Sequence, residues 1–404
     1  MRNRRILISG AGIAGPALAY WLRRHGFDPT VVERAPTPRR GGQAVDVRGV
    51  AIDLVERMGI IDQVRAAQVG TKGMSLVNAT GKPVASLEGG FGVIDDRDVE
   101  ILREDLGGIL REASGSDVEY LFGDSITALT QDEVGVEVTF ERAGSRTFDL
   151  VIGADGLHSG VRALAFGEES RFVHQLDDLY LAIFTTPNHL GLDHWQLGHS
   201  APGLTASITS VRDDTEARAV FFFTAKDPRL GDRDPHGQMR ILKDTFAGMG
   251  WEVPRLMDFM PDAPDFYFDT MSQVRMDSWS AGRVALVGDA GYGASPLSGQ
   301  GTSLALVGAY VLAGELAAAD GDHPVAFARY AERMRNFVEL NQKLALGAAK
   351  HLAPKTRAGV WLQRANLRML RHLPWKDAMI RAITKEVREA SVAIELKDYR
   401  RVPA

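Results

Sequence analysis

The 404-residue chain contains no cysteine. That excludes disulfides, thiolate nucleophiles and cysteine-ligated metal or iron–sulfur centres. Charge of one sign is also scarce: the net charge is -5, so neither nucleic acid nor an anionic membrane surface is expected as the main partner. The ten histidines include no His-Glu-x-x-His pair, and no metal site is expected. No internal repeat, low-complexity tract or charged tail is present. What remains is ordinary globular material, 45% hydrophobic and 25% charged, long enough for more than one packed unit.

One segment resembles an export signal, the basic start of the chain followed by the apolar run Ile6 to Leu22. Three glycines at fixed spacing lie inside the run, and Arg23-Arg24 closes it early. This suits a strand, turn and helix better than a signal peptide or a membrane span. The expectation is a cytoplasmic protein, monomer or homodimer, with no membrane partner.

Arg4 to Ser9 reads as a buried strand, Ala14 to His25 as a helix ended by Gly26, and Thr30 to Glu33 as the next strand. Together they form a β-α-β unit of about thirty residues. A loop over Ala35 to Gly42 follows. Helical spacing predicts a helix over 98–113, with Ile101, Leu102, Leu106, Ile109 and Leu110 on one side, and strands at 117–122, 134–140 and 147–153. Between 172 and 276, alternating stretches such as Leu204 to Val211 and Ala217 to Thr224 indicate antiparallel strands. Arg283 to Gly288 returns to a buried strand, and helices are expected at 302–319, 324–352, 355–371 and 376–396. The fold class is α/β with an α+β second unit. Residues 1–171 and 277–320 form a discontinuous Rossmann-like domain, 172–276 a mixed-sheet substrate domain, and 321–404 helices bridging the two.

Gly10-Ala11-Gly12-Ile13-Ala14-Gly15 lies between the first strand and the first helix. There the glycines permit a tight turn, approach of backbone to a pyrophosphate, and close strand–helix packing, while the helix N-terminus offers N–H groups to the anion. Glu33 ends the second strand, where an acid can bind ribose hydroxyls. The pattern in this setting implies a dinucleotide without saying which.

Two further stretches carry a family resemblance. Gly153-Ala154-Asp155-Gly156-Leu157-His158-Ser159-Gly160-Val161-Arg162 resembles the Asp-Gly motif of flavoprotein monooxygenases. Gly288-Asp289-Ala290, then Pro296, Gly299-Gln300-Gly301 and Thr302, resembles their second FAD motif. With the first glycines, the anchors follow the order of the class A, single-component aromatic hydroxylases typified by para-hydroxybenzoate hydroxylase. Within that family the tetracycline-inactivating monooxygenases look most similar, through Glu33-Arg34, Gly41-Gly42 and Asp46.

The resemblance implies FAD held by Gly10, Gly12, Ile13, Ala14, Gly15, Glu33, Arg34, Asp46, Arg103, Asp155, Gly288, Asp289, Pro296, Gly299, Gly301 and Thr302. In the family, an arginine at the place of Arg103 lies against the phosphates and ribityl chain, a role suited to a fork-shaped, non-titrating cation. Asp289 can accept from ribityl hydroxyls. The backbone at Pro296, the one catalytic position named, lies beside the isoalloxazine; no side-chain acid or base is assigned. Tyr292 stands where many relatives have histidine. Arg39 and Arg40 are either partners of an NADPH phosphate or a solvated loop. Phe222 and Tyr180 are named as substrate lining, against the reading of plain core.

Only one complete glycine fingerprint is present, as in the hydroxylase family, where NADPH or NADH visits transiently. The implied cycle reduces FAD, adds dioxygen to give a flavin hydroperoxide, and hydroxylates an aromatic or polycyclic small molecule, a polyketide or antibiotic being the class suggested by the sub-group. Baeyer–Villiger oxygenation, a non-oxygenating flavin oxidoreductase and a flavin-carrying, ligand-sequestering protein stay open as alternatives. A flavin halogenase lacks support, since no Trp-x-Trp-x-Ile-Pro stretch occurs.

Overall fold

Ile6, Leu7 and Ile8 have no solvent exposure, as a strand covered on both faces requires. Their strand, Arg5–Ser9, pairs in parallel with Asp28–Glu33 on one side and Leu150–Gly153 on the other. Glu119–Phe122 and Val284–Leu286 extend the two edges in parallel, and Ser280–Ala281 adds an antiparallel strand. This six-stranded sheet thus draws together strands from both ends of the sequence. The computed structural model describes residues 2–38, 41–88, 95–226, 234–346, 348, 352–370, 379, 381–382 and 384–399. Its mixed α/β architecture agrees with the sequence reading.

A second, seven-stranded sheet runs in the order Phe266–Val274, Val173–Pro187, Glu216–Thr224, Leu204–Val211, Trp195–Ala201, Gly73–Val77 and Pro83–Glu88. The last two strands precede residue 172, so the sheet is not confined to 172–276. Gly73–Val77 joins by parallel pairing with Trp195–Ala201, a contact far apart in sequence that local pattern cannot reveal. Period-two alternation divides the sheet's faces. Tyr180, Ala182 and Phe184 face a core closed by helices Pro235–Phe246 and Val253–Phe259, whereas Leu179, Leu181 and Ile183 face the opposite way.

The helix expected over 98–113 is shorter in fact. Val99–Leu102 is a strand, antiparallel to Ala44–Val47, and the helix is Arg103–Ser114. Val99, Ile101 and Leu102 are apolar and buried, and short apolar runs fit either period. Tertiary pairing chose the strand, which sets Arg103 at the first helical position.

Gly301–Ala318 is apolar on every side and packs against Ala14–Arg24 and His323–Leu344. It is the one helix among the described residues long and apolar enough to span a membrane, and 89% of it is buried within the protein. Leu304, Leu306, Leu312 and Leu316 are at most 1% exposed, each burial being worth roughly 1.5–3 kcal/mol. Its small residues admit large neighbours. A Cβ on Gly314 would stand 2.2 Å from the Tyr399 ring, whose hydroxyl donates to the buried Glu315 at 2.7 Å. The C-terminal stretch is anchored there. Arg357–Leu370 packs on Pro83–Glu88, and Lys385–Ser391 packs on His323–Leu344.

Tyr292 is fully buried and fills the space that Gly308 leaves; a Cβ at Gly308 would lie 1.9 Å from its hydroxyl. Gly308→Ala should therefore destabilise the protein by ~1–3 kcal/mol through overpacking. Adding Tyr292→Phe, which removes the clashing oxygen, should recover part of that loss in thermal melts. Purely additive losses would show that the two residues do not share this space.

Candidate active site

The first glycine turn is shaped by close backbone approach. Gly10 has φ +106°, and a Cβ there would stand 2.5 Å from the Ala154 carbonyl oxygen. A Cβ on Gly15 would fall 1.9 Å from the Gly10 oxygen, so the helix Ala14–Arg24 begins directly against the strand end. No side chain caps that helix, and its first turn holds no acid. Its unpaired N–H groups are thus open to an anion. Glu33 closes the turn from the next strand, accepting from Ala11 N at 2.9 Å and Ala35 N at 3.0 Å. Each oxygen keeps a lone pair for a ligand hydroxyl. Arg34, next to it, is exposed.

The Asp-Gly motif packs against this turn. Asp155 accepts from Ser9 Oγ at 3.3 Å, Ser159 Oγ at 2.5 Å and Val161 N at 3.1 Å. Burial raises its pKa, opposed by those donors. Its oxygens are thus engaged in holding the turn to the first strand. Arg162, with no solvent exposure, donates to Leu157 O at 2.6 Å and to Ala290 O at 2.9 Å. The second motif is thereby bonded to the third.

Gly288, Asp289 and Ala290 end the strand Val284–Leu286 beside the glycine turn; a Cβ on Gly288 would lie 3.2 Å from Ala14 Cβ. Asp289 is solvent-accessible, yet desolvation raises its pKa and the Arg103 charge only partly offsets this. Both facts hold only if the carboxylate lines an inward cleft. No protein donor bonds it among the described residues, and Arg103 has no carboxylate bridge there either. The Arg103 guanidinium meanwhile lies close to Gly12, whose added Cβ would be 3.2 Å from Nη2. A polyol with a pyrophosphate would complete both groups, so the residues fit FAD.

At the cleft's far end, Ser295 adopts φ 73°, a region costly for a residue with a Cβ, by ~1–3 kcal/mol. The conformation turns exposed Pro296 outward and starts the loop that ends at Gly299 and Gly301. Buried Thr302 follows in the first turn of the long helix. Arg48 lies over Gly299, donating to its carbonyl at 3.3 Å and bridging Asp46 at 2.8 Å. Burial pushes Asp46 up to about 7 despite that bridge.

The second sheet covers this cleft with the face of Leu179, Leu181 and Ile183, on which Phe222 and Tyr267 pack with Leu297. Tyr180 lies on the other face, stacked on Phe223 at 5.3 Å, and is not brought to the site. The physical reason is register: Tyr180 pairs with Phe223, and Phe222 with Leu181, so the two named residues point oppositely. Arg39 and Arg40 lie outside the described residues. Tyr292 sits behind the strand end, accepting from Tyr330 OH at 2.8 Å, with burial raising its pKa to about 12.

Sequence reasoning missed the side chains that join the units: Asp265, Tyr267 and Asp269. Asp265 accepts from Gly42 N at 3.0 Å and Thr185 N at 2.7 Å. The Asp-x-Tyr-x-Asp alternation on a strand was visible in the sequence, but its partners were not.

The family model described as FAD binding domain matches residues 3–324. The chain belongs to that family. Among relatives of this FAD-dependent monooxygenase, the uncharacterized protein Rv1260 of Mycobacterium tuberculosis (strain ATCC 25618 / H37Rv) is 50% identical over 345 residues, 84% of this chain and 92% of that one. A flavin-dependent monooxygenase of Legionella longbeachae serogroup 1 (strain NSW150) is 44% identical over 356 residues, 88% of this chain and 91% of that one. The crystal structure of tetracycline destructase Tet(51) superimposes with a TM-score of 0.87 at 39% identity, covering 98% of this chain and all of that one. The class A flavoprotein hydroxylase resemblance read from the motifs is thus correct.

For this monooxygenase, Asp289→Asn separates folding from cofactor binding. Folding raises the Asp289 pKa above its unfolded value, so its ionisation costs stability as pH rises through the folded pKa. Near neutral pH the apoprotein variant should melt higher than wild type. It should nevertheless hold FAD roughly tenfold more weakly, having lost a charged acceptor worth ~1.5–3 kcal/mol. Melting curves with and without FAD check both signs.

Proposed function

We propose that this FAD-dependent monooxygenase uses NADPH, or NADH, and dioxygen to hydroxylate an aromatic or polycyclic small molecule of the polyketide or antibiotic class. The observation that carries this reading is the apolar sheet face of Leu181, Ile183, Phe222 and Tyr267 lying over Leu297, next to Pro296. A flat, apolar ring system suits such a surface, with the Tyr267 hydroxyl as a polar contact. The similarity to a tetracycline destructase supports a polycyclic substrate.

FAD, when bound, supplies the electron transfer and oxygen activation. The protein's own work is placement. The glycine turn and the first helix would hold the pyrophosphate, with Glu33 available to a ribose and Arg103 and Asp289 to the phosphates and ribityl chain. The Pro296 to Gly301 backbone and the N-terminus of Gly301–Ala318 would help hold the ring and favour negative charge on it. The sheet face excludes water from the reacting centre. The proposed working form is a monomer or homodimer in the cytoplasm.

Anaerobic addition of NADPH to the FAD-loaded protein should bleach its visible flavin absorbance, and bleaching should speed up with the correct substrate. Air should then yield a product heavier by one oxygen, located by NMR as a ring hydroxyl. Unchanged absorbance would reject direct reduction, and ring expansion would favour the Baeyer–Villiger outcome.

A further inference from the structure

His158 lies within the Asp-Gly motif, between Leu157 and Ser159. Its Nδ1 lies 3.0 Å from Glu169 Oε1, and its Nε2 lies 3.0 Å and 3.1 Å from the two oxygens of Asp269. Ionised carboxylates only accept hydrogen bonds, so both ring nitrogens must donate, and an imidazole that donates from both is the cation. The geometry thus suits an imidazolium bracketed by two carboxylates.

Its partners belong to different elements. Glu169 lies in the turn Glu169–Arg171, ahead of the strand Val173–Pro187, and Asp269 lies on Phe266–Val274 in the second sheet. Asp269 also accepts from Tyr267 OH at 3.3 Å and Thr270 N at 2.8 Å. Tyr267 in turn lies within electrostatic reach of Arg103 and Asp289, the two groups that line the cofactor cleft. A continuous path of contacts therefore runs from the Asp-Gly turn, through the imidazolium and Asp269, to a side chain over the cleft.

We propose that His158 is a charged positioning residue, whose imidazolium pins the strand carrying Tyr267 against the Asp-Gly turn and thereby sets the affinity for FAD. The proposal rests on the flavin reading of the cleft. If His158 loses its proton, one nitrogen becomes an acceptor facing a carboxylate, and one side of the clasp opens. Among the described residues, the charged and titratable groups around the ring include Glu169, Asp269 and Tyr267, with Arg162 beside Glu169 at 3.9 Å and Asp155 in the same turn. The hydrogen bond to Asp269, with the charges of Asp269 and Glu169, raises the ring's pKa above its ordinary value against partial burial. The clasp is thus complete at and below neutral pH and is lost as pH rises through that raised pKa.

The test is the dissociation constant for FAD, read from quenching of flavin fluorescence across about pH 6 to about pH 9, without substrate or NADPH. Wild-type affinity should weaken roughly tenfold across that range, the size of one charge-assisted contact. His158→Gln should be weak throughout and independent of pH, whereas His158→Arg, which cannot lose its charge, should retain part of the affinity at the alkaline end. Asp269→Asn, which leaves the imidazole but removes its link to the strand, should match His158→Gln and serves if that variant does not fold. Equal affinities and parallel pH profiles for wild type and His158→Gln would overturn the role of His158 and leave the flavin assignment standing. A wild-type protein that takes up no FAD at any pH would instead overturn the cofactor reading, and this proposal with it.

Discussion

The site depends on one alternating strand, Phe266–Val274, and on the residue just before it. Asp265, Tyr267, Asp269 and Met271 meet, in turn, the Gly41-Gly42 backbone, the cleft, His158 of the Asp-Gly motif, and Ser295 before Pro296. Because side chains in a strand point to opposite faces at period two, this single edge strand touches the loops around the cofactor in sequence. A one-residue slip would turn all of these groups away together. The second sheet is therefore joined to the loops of the first by contacts of fixed register, Asp265 to Gly42 N and Asp269 to His158 among them.

The other constraint is close backbone approach where the three motifs converge. Gly10 against Ala154, Gly15 against Gly10, and Gly288 against Ala14 bring three chain segments closer than side chains allow. The buried Arg162 then ties the second segment to the third through carbonyl oxygens. A buried guanidinium carries a large desolvation cost, which its hydrogen bonds and the nearby Glu169 offset. Among the described residues, Arg103 and Asp289 have no such protein partners, and this difference separates the groups that build the cradle from those suited to bind a ligand.

Much of the cradle was legible in the sequence because its signals are local. A glycine turn between strand and helix, an acid at the next strand end, and a strand ending in Gly-Asp are readable within a few residues. The resemblance of the later motifs extended this from a dinucleotide to FAD. Legibility ended where two periodicities competed or where partners were distant. Val99–Leu102 could satisfy a helix or a strand, and pairing with Ala44–Val47 decided the matter. Gly73–Val77 and Pro83–Glu88 joined the second sheet through a strand more than a hundred residues away. Phe222 and Tyr180 were equally plausible by composition, and only sheet register assigned them to opposite faces.

By itself, then, the sequence determined the dinucleotide cradle, the order of the flavin motifs and the absence of any thiol chemistry. Glycine placement and missing residue types act through local sterics and atom inventory, which need no fold to be read. The tertiary structure alone decided which face of the second sheet covers the cleft, which charged groups have no protein partner among the described residues, and that His158 is bracketed by Glu169 and Asp269. Those outcomes depend on distances between segments far apart along the chain, and such distances are set only when the sheets pair and pack.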